Sequence, residues 1–232
     1  MDLIKSTEVK RVLDIATGSG NSVGSIREMF KNNDIQITGI DISRQNIEKA
    51  RSQLSDEKTV FAVMNSAYLE FLNDSFDAVT IINSLHHFDD LTGSLTEAFR
   101  VLKRDGIMVI CEMFSDTDNK EQLSHIMLHH WWAKIDHQLD IPHYKTFSRE
   151  HILNIVEGLP FRDIEYSVED NLDFEVDREM MEKLTGYIDI YKTKADKLPE
   201  SRLLKAEGES IRSYIAANGF KFAPQIIVTG RK

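Results

Sequence analysis

The sequence predicts an α/β fold: a doubly wound, mostly parallel sheet covered by helices. Three observations predict it. Short Val- and Ile-rich segments alternate with longer amphipathic ones, the first short segment runs into the turn Ala16-Thr-Gly-Ser-Gly20, and the second ends in a carboxylate, Asp41. Strands are expected at 11–16, 36–41, 59–64, 76–83, 106–112, 162–169 and 223–229. Helices fit 21–31, 43–54 and 91–102, each opening near a Ser, Asn or Asp that can cap it. The helix at 43–54 sets Ile47, Ala50 and Leu54 on one face, the one-sided cover that a parallel sheet requires. Right-handed crossovers then bring ligands to the carboxyl ends of the strands.

Two segments exceed what the sheet needs, 115–147 and 171–219. The first carries a helical run over 119–140; the second has room for two helices joined around Lys197-Leu-Pro-Glu200. In the later of these, Leu204, Ile211, Tyr214 and Ile215 form a stripe suited to packing. The arm before Arg11 is too short to supply much of a lid. By elimination the two insertions form most of a substrate chamber, as a helical cap on a single domain spanning 1–232.

The Gly-rich turn carries the first chemical information. Gly18 and Gly20 let backbone pass close to a ligand with no Cβ in the way. Asp41, about twenty residues on, is placed to accept from two ribose hydroxyls. Together they indicate a nucleoside-containing cofactor. The third glycine of the dinucleotide fingerprint is replaced by Val23, and Asp14 stands in front of the loop, where it would repel a diphosphate. S-adenosylmethionine, with an ammonium, a sulfonium and a ribose but no phosphate, suits the pair Asp14 and Asp41 better than NAD does.

Four blocks extend this reading: Val12-Leu-Asp-Ile-Ala-Thr-Gly-Ser-Gly20, Thr38-Gly-Ile-Asp-Ile-Ser43, Phe76-Asp-Ala-Val-Thr-Ile-Ile-Asn-Ser-Leu-His-His87 and Leu102-Lys-Arg-Asp-Gly-Ile-Met-Val-Ile110. In this order and spacing, residues 10–114 resemble the core of class I S-adenosylmethionine-dependent methyltransferases, of the small-molecule group that includes the quinone-biosynthesis enzymes. The resemblance implies a Rossmann-like, seven-stranded sheet with its last strand antiparallel. It also implies cofactor contacts from Asp14, Ala16, Gly18, Gly20, Asp41, Ile42, Asn65, Ser66 and Asn83. Ile42 would lie on the adenine face, or else in the sheet core; Asn65 would accept from the adenine amino group, or else close an Asx turn. Two positions depart from the family pattern. Ala16 replaces the first loop glycine, which a negative φ would tolerate, and Asn65 stands where an Asp is usual.

Methyl transfer from a sulfonium is an in-line displacement that needs alignment and exclusion of water. A base is required only where the acceptor's proton does not leave unaided. His87, after the fourth strand, is the first candidate base; His129, His130 and Tyr144 in the first insertion are the others. Trp131, Trp132 and Met127 either line an aromatic pocket or dock the insertion. Tyr187 and Tyr191 share one face of a cap helix. His125 and His129 are also four apart, but no His-Glu-x-x-His or cysteine pattern accompanies them, so no metal is expected.

Composition narrows the partners. A net charge of -10 argues against a phosphate-tracking surface, so a small-molecule acceptor is expected rather than nucleic acid. The residues 83–87 also lack the Pro-Pro-aromatic pattern of amino-directed base methylases. Protein or RNA methylation and non-catalytic cofactor binding are the rival functions. Cys111 is the only cysteine, which excludes an intrachain disulfide and fits core packing. With no signal core and no run of membrane-spanning length, a soluble cytoplasmic monomer or homodimer is the expectation.

Overall fold

The computed structural model describes residues 2–31, 34–170 and 176–232. In chain order the elements are α1 (Asp2–Ser6), β1 (Arg11–Ile15), α2 (Val23–Phe30), β2 (Gln36–Asp41), α3 (Arg44–Leu54), β3 (Thr59–Val63), β4 (Phe76–Ile82), a 3-10 turn (Leu85–His87) and α4 (Leu91–Val101). There follow β5 (Leu102–Met113), α5 (Lys120–Gln138), α6 (Arg149–Glu157), β6 (Asp163–Glu169), α7 (Arg178–Ala195), α8 (Ser201–Asn218) and β7 (Gln225–Arg231). The strands form one seven-stranded sheet in the order β3-β2-β1-β4-β5-β7-β6. β3, β2, β1, β4 and β5 pair in parallel. β7 runs against β5, since Phe114 bonds to Pro224 while Gly106 accepts from Lys232.

The chain divides into two compact units: a sheet unit of 1–112, 152–167 and 226–232, and a helical unit of 113–151 and 168–225. The helical unit extends beyond the expected insertions 115–147 and 171–219 and includes the ends of three strands, at Met113, Val168 to Glu169 and Gln225. Residues 171–175, the start of the second expected insertion, lie outside the described residues.

In the sheet unit, the core joins Val12, Ile37, Ala78, Ile107 and Val109 of the strands to Ile26 of α2 and Ile47 and Ala50 of α3. Leu54 departs from the expected stripe and is 37% exposed. It lies at the helix end, with its Cδ1 over Gly20 instead of in the core. Several strand ends are set by backbone conformation. β1 and β4 stop one residue early because Ala16 and Asn83 take φ of 57° and 49°, which no strand accommodates. α2 begins at Val23 rather than 21, because turns closed by Thr17 O and Gly20 O occupy the preceding residues. β5 begins four residues before the expected 106. A bulge absorbs the excess, with Leu102 to Ile107 facing Phe76 to Ala78. β7 begins at Gln225 because Pro224 has no N–H and the Ala223 N–H donates to His125. The short helices α1 and α6 carry too little pattern for the sequence reading to have found them.

The helical unit has its own core, in which α5, α7 and α8 pack Leu128, Trp131, Ile135, Ile188, Leu204, Ile211 and Ile215 together. Asn119 caps α5 by accepting from the N–H groups of Glu121 and Gln122. Trp131 is fully buried and donates its indole N–H to Leu204 O at 3.0 Å. α8 approaches this ring at Gly208, where a Cβ would sit 2.7 Å from Trp131 Cζ2.

Candidate functional site

In a doubly wound sheet the ligand crevice opens where neighbouring connections leave in opposite directions, here between β1 and β4. The loop after β1 and the turn after β4 both emerge there.

The loop after β1 is held by hydrogen bonds from two carboxylates. Asp14 is buried at the end of β1; it accepts from Thr80 Oγ1 at 2.7 Å and from Ser22 Oγ at 2.5 Å. Burial pushes the Asp14 carboxyl above its usual range, against the pull of the hydroxyl donors. Ser22 therefore serves the loop and makes no side-chain cap for α2. Each Asp14 oxygen thus accepts from one hydroxyl, which braces the loop from beneath. Asp41, at the end of β2, accepts from Gly18 N at 2.9 Å through Oδ2 and from Ser43 N at 2.8 Å through Oδ1. Thr17 N donates to Ile40 O, which extends the β1–β2 ladder into the loop.

The two glycines divide the work. Gly18, at φ 56°, has nothing within 4 Å of where a Cβ would stand, so this face of the loop is open. Gly20, at φ 84°, has no such space: a Cβ there would meet Leu54 Cδ1 at 2.6 Å and Phe61 at 3.2 Å. Gly20 thus lets Leu54 and Phe61 pack closely against the loop. Ala16 does not meet the condition of a negative φ; at 57° it holds a left-handed conformation that its methyl makes costly.

Beside Asp41, Ile42 is 67% exposed, which rules out the sheet-core alternative. Asn65 Oδ1 accepts from Ala67 N at 2.9 Å, so its side chain closes an Asx turn. Ser66 Oγ pairs with Ser94 Oγ at 2.7 Å. Asn83 sits in the left-handed region that Asn tolerates, and its N–H donates to Cys111 O. In the turn after β4, His86 is buried with Nδ1 2.9 Å from Glu112 Oε1, while Leu85 N donates to Oε2 of the same carboxylate. His87 is half-buried, its ring 4.3 Å from that of His86.

The histidines of the helical unit separate by partner. His125 Nδ1 accepts from Ala223 N at 2.9 Å, and burial pushes its pKa down to about 4. His130 Nε2 lies 2.8 Å from Thr146 Oγ1. His129 and His143 are buried with their Nε2 atoms 3.1 Å apart, and His143 Nδ1 lies 3.0 Å from Asp136 Oδ2. Tyr191 OH and Lys194 Nζ also donate to Asp136, at 2.6 and 2.9 Å. Burial opposes ionisation of Asp136, but these hydrogen bonds hold its carboxyl below the ordinary value. Burial and Asp136 together raise the Tyr191 phenol. Trp132 stacks on Tyr191 at 5.4 Å and meets Tyr187 at 5.5 Å. Tyr144 is half-exposed, beside the His137 ring at 5.1 Å. Sequence reasoning missed Asp136. Its signal was there: seven residues after His129 on α5, it lies on the same helix face.

Residues 13–110 match the family model of a methyltransferase domain. A demethylmenaquinone methyltransferase of Thermotoga maritima is 36% identical over 113 residues, which cover 49% of this chain and 48% of that protein. An O-methyltransferase of Aspergillus nomiae is 34% identical over 117 residues, 49% of this chain and 51% of its own length. The chain thus spans about half the length of the curated relatives it matches. In fold, it is similar to phosphoethanolamine N-methyltransferase 2 of Haemonchus contortus, solved with S-adenosyl-L-methionine. The TM-score is 0.58 at 22% identity, over 97% of this chain and 49% of the other. Among the described residues no helix is long and apolar enough to cross a membrane. The loop, the carboxylates and these likenesses point the same way: residues 13–110, under half of the chain, are similar to methyltransferase domains.

Proposed function

We propose that this chain transfers a methyl group from S-adenosylmethionine to a small organic acceptor. The observation that carries this reading is the open face of the loop beside Asp41, where Gly18 faces empty space and Ile42 stays exposed. An isoleucine exposed beside a carboxylate, at the ligand-binding edge of a sheet, matches a nucleoside: a ribose for the acid and a flat base for the apolar side chain.

Asp41 accepts from the ribose hydroxyls, Ile42 covers one adenine face, and the backbone N–H of Ser66 serves the ring edge. The Asx turn of Asn65 sets that N–H in place. Ala16 and Asn83, at the ends of β1 and β4, offer backbone groups to the amino-acid end. Asp14 keeps the loop in shape from beneath. When bound, S-adenosylmethionine would supply an electrophilic methyl carbon on a sulfur that can leave with the electron pair. His87 takes the acceptor's proton where the acceptor is a hydroxyl or thiol. The small-molecule preference follows from the acidic charge and from the relatives' printed activities on a quinone precursor and at oxygen.

Calorimetric titration with S-adenosylmethionine and S-adenosylhomocysteine tests this directly. Saturable binding near micromolar, about -8 kcal/mol, is expected, with no competition from NAD. Failure of both ligands to bind would overturn the reading. Transfer of a labelled methyl group to a panel of phenols, quinols, thiols and amines then identifies the acceptor class.

A further inference from the structure

We propose that His129 and His143 form a binding site for a divalent metal ion of zinc-like, nitrogen-seeking character. Both imidazoles are buried, and their Nε2 atoms face each other across 3.1 Å. Two ring nitrogens bound to one tetrahedral zinc at roughly 2.0–2.1 Å would lie about 3.3 Å apart, so the pair needs a shift of a few tenths of an ångström to share an ion.

The groups behind the pair argue for a ligand site. Asp136 Oδ2 sits 3.0 Å from Nδ1 of His143. A carboxylate there fixes the tautomer with hydrogen on Nδ1, which turns the Nε2 lone pair outward and makes it a better donor; this carboxylate–histidine arrangement is the usual backing of a metal-bound imidazole. The carboxylate is itself held ionised and in place by Tyr191 OH at 2.6 Å and Lys194 Nζ at 2.9 Å. With Nδ1–H fixed, His143 offers only a lone pair towards His129. The space between the two nitrogens then holds either a proton carried by His129 or a cation. The element arrangement supplies the rigidity that a site needs, since His129 and Asp136 are seven apart on α5 and Tyr191 and Lys194 lie on α7. The expectation drawn from sequence, that His125 and His129 share a helix face without a metal, overlooked the His143 connection. His125 is committed to Ala223, and His129 meets His143 instead.

The test uses the full chain, stripped with a chelator and titrated with Zn²⁺, and with Co²⁺ for its visible absorption. One equivalent should bind, and His129→Ala and His143→Ala should each weaken binding at least 100-fold. Asp136→Asn should weaken it 10–100-fold, whereas His130→Ala, whose ring partners Thr146, should leave it unchanged. Far-ultraviolet circular dichroism checks that each variant is folded. X-ray absorption of the zinc-loaded wild type is independent of any variant and should show at least two imidazole nitrogens. Absence of saturable binding in the wild type would mean that the pair shares a proton only, and would overturn the proposal. Binding undiminished in both histidine variants, or fewer than two imidazoles around the zinc, would also overturn it.

Discussion

The backbone N–H of Gly18 donates to Oδ2 of Asp41 across 2.9 Å, tying the loop after β1 to the end of β2. Asp41 therefore shapes the loop by itself, and the ribose hydroxyls of the proposed cofactor would add to an oxygen that already carries one donor. Its other oxygen receives Ser43 N, so the start of α3 is tied to the same carboxylate.

Asp41→Ala should consequently act twice. Cofactor affinity should fall by about 1.5–3 kcal/mol, the range for hydrogen bonds to a charged group. The ligand-free protein should also melt at a lower temperature, because Gly18 N and Ser43 N lose their acceptor. Calorimetry and a thermal melt separate the two effects. Unchanged affinity would reject the ribose assignment even if the melting temperature dropped.

Ala16 tests whether the loop carries strain. A left-handed alanine costs roughly 1–2 kcal/mol, and glycine at the same place gives back about 0.4–1 kcal/mol through its freer unfolded chain. Ala16→Gly should therefore raise stability by up to about 1.6 kcal/mol in urea denaturation. A fall would show that the methyl packs well enough to outweigh its backbone cost.

In the helical unit, Gly208 is a packing requirement. Alanine there gains about 1 kcal/mol of helix propensity, but its Cβ would stand 2.7 Å from the ring of fully buried Trp131. Overpacking of this kind costs about 1–3 kcal/mol, so Gly208→Ala should be neutral to destabilising by about 2 kcal/mol. An increase in stability measured by urea denaturation would mean that the indole moves aside freely, despite its hydrogen bond to Leu204 O.

The sheet was legible because its signals are local. Val- and Ile-rich runs, a Gly-rich turn and a following acid each act within a few residues, and β2 falls at Gln36–Asp41 as expected. The ends were harder to place, since they depend on partners far along the chain: β7 is trimmed by a proline and by His125, 98 residues away. The helix pair around Pro199 was also legible, because Leu204, Ile211 and Ile215 repeat at helical spacing and are buried. Tyr214, on the edge of that stripe, is only half-buried. The roles of individual polar side chains were not legible. Asn65 and Asp14 offer the acceptors that the sequence suggests, and each also accepts from a neighbouring donor within the chain. The joining of Asp136, His143 and His129 rests on a loop returning to α5, which no periodicity records.

The last prediction concerns pH and His125. Burial lowers its folded pKa from 6.5 to about 4, and its surroundings are the rings of Phe220, Phe222 and His129. In the unfolded chain the imidazole takes up a proton near pH 6.5; in the folded protein it resists until about pH 4. The unfolded state therefore binds more protons between these values, and stability falls as the pH drops. The contribution is full above pH 6.5, declines through the interval and is gone below about 4. A shift from 6.5 to about 4 corresponds to a total near 3 kcal/mol. His125→Asn places an oxygen where Nδ1 accepts from Ala223 N and removes the titration. Urea denaturation at pH 7.5, 6, 5 and 4.5 should show wild-type stability falling more steeply than that of the variant, by 1–3 kcal/mol across the range. Parallel pH profiles for the two proteins would show that His125 is protonated in the folded state as readily as in the unfolded chain, and that Ala223 N does not hold its ring neutral.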